Sequence, residues 1–128
     1  VDSTDPVGPG ETLFTDSFYA NAKRRLTEGG ILVTQNGVPF MQGDELTGTM
    51  GHFKQLFRDY GCYLATIPTY VGGPMAMGWG TDGMGRDVAL EELERRYKAA
   101  GLETRYYTPA VHKAAFALPG YVSRLIPR

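Results

Sequence analysis

Two aspartates at the start of the chain, Asp2 and Asp5, are the residues best placed to do chemistry. They flank Ser3-Thr4 and precede the rigid run Pro6-Val7-Gly8-Pro9-Gly10. Two carboxylates in one loop suit a cationic ligand, a metal ion or acid–base work. If Val1 ends a parallel strand, both lie at its carboxyl end, where open α/β sheets place their ligands. Asp-Ser-Thr-Asp-Pro is also ordinary turn chemistry, because these side chains bond nearby backbone groups. Spacing alone leaves both readings open.

The other candidates are single residues. Tyr70 follows Ile67-Pro68-Thr69 and precedes Val71-Gly72-Gly73. A tyrosine at a strand end beside glycines can close over a ligand, and an aromatic face attracts an ammonium group; it can equally cap the core. His52 and His112 are far apart, with one cysteine, Cys62, between them. That spacing does not match a metal-ligand set, so no metal site is expected. Cys62 precedes an apolar strand and reads as a small buried hydrophobe. Arg105-Tyr106-Tyr107 and His112 read as structural. No P-loop or nucleophile elbow occurs.

The elements that must position these residues follow from periodicity. Residues 1–14 read as a loop. Thr15 is a plausible N-cap for a helix with Phe18, Tyr19, Ala22 and Leu26 at helical spacing, stopped by Gly29-Gly30. Ile31-Leu32-Val33-Thr34-Gln35 is a β-branched strand ended by Asn36-Gly37. A second helix starts near Asp44 with Leu46, Met50, Phe53 and Phe57 on one stripe. Residues 63–67 form a strand stopped by Pro68, and 75–79 form a third, antiparallel to it because the connection is short. Residues 87–100 make a helix whose exposed face carries Glu91–Arg95, Glu92–Arg96 and Glu94–Lys98 pairs. Thr108-Pro109 opens a short helix to Ala115, and a last one lies within 118–125. Strands alternating with helices predict an α/β layer with a mainly parallel sheet. Two or three strands make a poor sheet alone, so the rest is expected from further chain or from a partner.

Composition narrows the function classes. The chain has 128 residues, one domain's worth, with 13 basic and 14 acidic residues and a net charge of −1. There is no basic excess to drive nucleic-acid or membrane-surface binding. No apolar run approaches the roughly 18 residues that span a bilayer. Seventeen glycines, about 13% of the chain against an ordinary ~7%, imply many tight turns. One cysteine rules out an internal disulfide framework and fits a reducing, cytoplasmic compartment.

Several segments together resemble the polyamine aminopropyltransferase (spermidine synthase) family, above all its bacterial members. They are Asp2-Ser3-Thr4-Asp5-Pro6-Val7-Gly8-Pro9-Gly10-Glu11 with Leu13-Phe14-Thr15, then Val33-Thr34-Gln35-Asn36-Gly37, Ile67-Pro68-Thr69-Tyr70, Arg105-Tyr106-Tyr107 and His112-Lys113-Ala114-Ala115-Phe116-Ala117-Leu118-Pro119. The resemblance implies aminopropyl transfer from decarboxylated S-adenosylmethionine to putrescine, giving spermidine and 5′-methylthioadenosine. It implies the C-terminal part of a Rossmann-like, S-adenosylmethionine-dependent methyltransferase-type domain. Asp2 would then accept the proton of the attacking amine. Ser3, Thr4 and Asp5 would complete the polyamine-binding loop, Tyr70 would line the polyamine channel, and Gln35 would help hold the far amine through water. Pro9 and Leu13 would pack on the adenine of donor or product. No cofactor or metal is implied, since the donor is a co-substrate.

The family's glycine-rich donor loop, its ribose-binding acidic residues and its small N-terminal β-domain are not in this sequence. The chain is therefore expected to act with the missing N-terminal half or a full-length subunit, as a homo-oligomer (dimer or tetramer) when complete. Alone it is expected to be inactive and prone to associate through open sheet edges. Two other functions compete: another S-adenosylmethionine-dependent transferase, such as a methyltransferase, and a non-catalytic interaction module of the same fold.

Overall fold

The computed structural model describes residues 1–2, 7–83 and 87–128. The segment around Pro9 winds into a 3₁₀ turn, Gly8–Phe14, rather than an open loop. Proline at its start has the right φ and needs no donor there. Thr15 caps α1 (Asp16–Arg24), its hydroxyl accepting from Phe18 N at 3.3 Å. The remaining elements are β1 (Ile31–Gln35), α2 (Gly43–Leu56), β2 (Asp59–Ala65), β3 (Met75–Thr81), α3 (Leu90–Ala99), α4 (Pro109–Ala115) and α5 (Gly120–Ser123).

The three strands form one sheet in the order β1-β3-β2. β3 is antiparallel to both neighbours, with Gln35 and Tyr63 both opposite Met77. The expected hairpin between the second and third strands is present. The mainly parallel sheet is not: β1 and β2 point the same way, joined through α2, but β3 lies between them. Among the described residues the one parallel contact is made by Val1. Its amino group donates to Val33 O at 2.5 Å and its carbonyl accepts from Gln35 N at 3.1 Å. Bonds to residues two apart are the parallel pattern.

β3 fits its central place because of its glycines. Ala76, Gly78 and Gly80 alternate onto the face that α2 covers. A Cβ on Gly78 would lie 2.8 Å from Met50 Cε and would strike Asn36 Oδ1, and one on Gly80 would strike the Phe57 ring. The bare strand lets α2 sit close. Leu46, Met50 and Phe53 are fully buried there, with Tyr19 from α1, Leu32, Cys62 and Val122 in the same core. The other face holds Tyr63 and Trp79 against Phe116 beside α4, at ring separations of 5.6 and 6.3 Å.

Boundaries differ where pairing overrides local signals. β2 starts at Asp59 and ends at Ala65 because it pairs residue for residue with β3. Of the three expected ion pairs on α3, Glu92–Arg96 forms at 2.6 Å, while Arg95 turns to Glu92 as well, at 2.7 Å. Two guanidinium groups hold the Glu92 carboxyl down to about 2.

Inside the core a polar chain joins four side chains. Asn36 Oδ1 accepts from Thr34 Oγ1 at 2.9 Å and from Gly78 N at 3.1 Å. Its Nδ2 donates to Thr49 Oγ1 at 2.8 Å, which lies 3.1 Å from Tyr19 Oη. Asn36 has no exposed surface. Burial raises the Tyr19 hydroxyl above its ordinary pKa, so it stays protonated. Replacing Asn36 with alanine leaves the Gly78 N–H and the Thr34 and Thr49 hydroxyls without this partner. The expected loss is about 2–3 kcal/mol in urea unfolding. A loss below about 0.5 kcal/mol would contradict this account of the core.

Candidate active site

Chain direction gathers the candidate residues. Val1, β1 and β2 run the same way, so their carboxyl ends share one end of the sheet. Asp2 follows the Val1 bridge directly and is exposed. Gln35, the last residue of β1, is tied to Val1 through its backbone N–H. Strand alternation puts the Gln35 side chain on the face opposite Thr34 and Asn36. Backbone bonds continue past β1: Asn36 N donates to Ala76 O and Ala76 N donates to Gly37 O, each at 2.9 Å. The strand end beside Asp2 is therefore clamped on both edges.

Tyr70 sits beyond the end of β2, in a turn closed by Tyr70 N donating to Ile67 O at 3.0 Å. Its side chain is 49% exposed, so it is not a core cap. Gly72, two residues on, lies against Val38 and Met41 of the β1–α2 connection. The loops after β1 and β2 thus meet. Among the described residues no hydrogen bond joins the Asp2, Gln35 and Tyr70 side chains; they stand at one end of the sheet without pairing. That leaves them free for a ligand. A carboxylate, an amide and a phenol can together hold and orient a cationic amine.

Ser3, Thr4 and Asp5 lie outside the described residues. Pro9 is exposed and Leu13 half-buried in the 3₁₀ turn. That turn is fixed by Thr12 Oγ1 donating to Pro9 O at 3.1 Å and Thr15 Oγ1 donating to Thr12 O at 3.0 Å. The turn packs on α1. It is not joined by any hydrogen bond, among the described residues, to Asp2, Gln35 or Tyr70.

Several other polar or titratable residues have structural roles. His52 Nδ1 lies 2.5 Å from Asp16 Oδ1, pinning α2 to the start of α1. Cys62 is 1% exposed, and burial pushes its thiol up to about 11, which makes it the inert hydrophobe expected. At the opposite end of the sheet a cleft of about 360 Å³ holds Lys23, Arg58 and Asp82. Lys23 meets Asp82 at 2.6 Å, and Arg58 N donates to Asp82 at 3.0 Å. Both contacts hold that carboxyl below its usual range. Lys23 also lies over the Phe57 ring, 5.0 Å from its centroid.

Sequence reasoning missed two contributors. Asn36 reads as a turn residue, yet it is the centre of the buried polar chain. The available signal was Thr49, a hydroxyl on the apolar stripe of α2 that needs a buried partner. Tyr106 reads as structural, yet its hydroxyl accepts from Thr66 N at 2.9 Å, at the root of the Tyr70 loop. Its neighbour Tyr107 stacks edge-on to His112 at 5.8 Å.

The chain resembles known proteins over nearly all its length. Residues 1–89 match the model of the spermine/spermidine synthase domain. A polyamine aminopropyltransferase of Ruegeria sp. is 70% identical over 128 positions, covering 99% of this chain and 45% of that protein. One from Pseudomonas syringae pv. tomato is 55% identical, covering 94% of this chain and 43% of that protein. Among solved structures, a spermidine synthase in complex with the transition-state analogue AdoDATO superposes with a TM-score of 0.83 at 29% identity. The match covers 97% of this chain and 42% of that one. The Thermotoga maritima spermidine synthase gives 0.79 at 26% identity, over 93% and 40%. The chain spans less than half the length of these relatives. Its α/β fold is that of part of their Rossmann-like domain.

His112 supplies a pH test of the aromatic layer beneath Tyr106. Burial, with Lys113 adding to it, lowers the imidazole below its ordinary 6.5. The unfolded chain therefore takes up this proton first. The contribution to stability is fully present above pH 6.5 and is lost as pH falls through the lower, folded value. An NMR titration should place the His112 midpoint below 6.5. A midpoint at or above that value would contradict the packing described.

Proposed function

The chain belongs to the spermine/spermidine synthase domain family, and on that premise we propose that it forms the amine-acceptor side of an aminopropyltransferase. The reaction is transfer of the aminopropyl group of decarboxylated S-adenosylmethionine to putrescine, yielding spermidine and 5′-methylthioadenosine. The observation that carries this is the parallel bridge of Val1 to β1, which sets Asp2 beside Gln35 at the sheet end where the Tyr70 loop also lies.

The chemistry accounts for these residue types. Putrescine's amines have pKa values of about 10, like lysine, and are protonated near neutral pH. An ammonium has no lone pair and cannot attack. A carboxylate can bind the cation, orient it and take its proton. The freed nitrogen forms a bond to the methylene carbon beside the donor's sulfonium. The carbon–sulfur bond breaks and its electron pair returns to sulfur, leaving a neutral thioether. No leaving-group acid, metal or cofactor is required. In this reading Asp2 is the proton acceptor, Ser3, Thr4 and Asp5 complete the polyamine loop, Tyr70 lines the amine channel and Gln35 holds the far amine through water. Pro9 and Leu13 form one apolar edge of the nucleoside site.

The rest of the donor site belongs to chain that the relatives have and this sequence does not include. We assign residues 1–128 to the C-terminal part of the catalytic domain. The complete protein would be a cytoplasmic homo-oligomer, a dimer or tetramer. No helix among the described residues is long and apolar enough to cross a membrane.

The test is Asp2→Asn in a protein of full family length carrying this sequence. Turnover should fall by about 10²–10⁴-fold, the usual size for a positioned base. Donor affinity should change much less. Near-normal methylthioadenosine production by that variant would exclude Asp2 as the proton acceptor.

A further inference from the structure

Tyr70 stands on an exposed loop of nine residues, 66–74, between β2 and β3. Such a loop needs fixed points if it is to hold a side chain against a ligand. Its far part rests on Val38 and Met41 at Gly72. Among the described residues its root is held by one bond from outside the sheet, Thr66 N–H to Tyr106 Oη at 2.9 Å.

The segment presenting Tyr106 is itself well fixed. Thr104 Oγ1 donates to Tyr107 O at 2.6 Å, which uses its only proton. The Tyr97 hydroxyl, 2.8 Å from the same oxygen, must then be the donor to it. The Tyr107 ring lies 5.8 Å from Tyr97 on α3 and 5.8 Å from His112 on α4. His112 in turn packs on Phe116 at 5.4 Å, and Phe116 on Tyr63 of β2. This aromatic layer ties α3 and α4 to the sheet and holds the backbone beside Tyr106.

Tyr106 itself is different. The residue is 54% exposed and lines a cleft of about 220 Å³ together with Tyr63, Ala65, Val111 and Phe116. Among the described residues no ring-to-ring contact joins it to the layer. Its hold on the loop is the hydroxyl.

We propose that Tyr106 is a positioning residue for the amine-acceptor site, its hydroxyl fixing the root of the loop that presents Tyr70. This rests on the acceptor-site reading above. The ring touches no reacting atom; it acts through Thr66 and the 67–70 turn. Removing the hydroxyl should free the loop without disturbing the core, because Tyr106 is more than half exposed and is not one of the core residues.

The experiment is Tyr106→Phe in a protein of full family length. The KM for putrescine should rise about threefold to tenfold, the size for one lost hydrogen bond, while kcat stays within about twofold. The KM for the donor and the unfolding temperature should stay unchanged. Amide exchange over residues 66–70 should quicken, with strand amides unaffected. A putrescine KM equal to that of the unmodified enzyme, or unchanged exchange at 66–70, overturns the proposal. So does an equal rise in the KM for the donor. An unmodified enzyme that makes no spermidine would instead fail the acceptor-site reading, a separate outcome.

Discussion

The buried amide of Asn36 is the contact on which the arrangement depends. Its side chain bonds to β1, β3 and α2 at once, through Thr34, Gly78 and Thr49. Thr49 extends the chain to Tyr19 of α1. A buried amide needs these partners, so the four elements can come together in few other registers. A slip of one residue between β1 and β3 would turn the amide out of the core and strand its partners. Asn36 is also next to Gln35, so the residue that locks the core locks the strand end where the candidate acceptor residues stand.

Sheet polarity then does the rest. β1 and β2 are parallel to each other and to the Val1 bridge, with β3 returning between them. Three carboxyl ends share one end of the sheet, and the loops that leave them are the ones bearing Asp2 and Tyr70. The glycine face of β3 makes this possible by letting α2 approach. At the opposite end the charges of Lys23 and Asp82 are already engaged with each other. The two ends therefore differ in kind: one holds an internal ion pair, and the other, among the described residues, displays the Asp2, Gln35 and Tyr70 side chains without bonds to one another.

Helices and strands with strong local signals were legible in the sequence. The Thr15 and Thr108 caps, the β1 run and the α2 stripe are where periodicity and capping put them, because those signals are local. Sheet order was not legible. Nothing in the residues of β3 states that it lies between β1 and β2, and strand alternation with helices pointed to parallel neighbours. The extra length of β2 comes from pairing with a distant strand. At the site, Asp2, Gln35 and Tyr70 were visible as residue types and through the family's motifs. Asn36 and Tyr106 were not, since each acts through a partner 10 or more residues away: Thr49 and Gly78 for one, Thr66 for the other.

The most direct measurement of the central claim is a map of where a diamine binds. Putrescine would be titrated into an isotope-labelled protein of full family length, and amide shifts followed. The account predicts that changes gather at Asp2, at residues 35–37 and along residues 66–70. Changes confined to the Lys23–Asp82 end of the sheet, or no change at any of these positions, would contradict it.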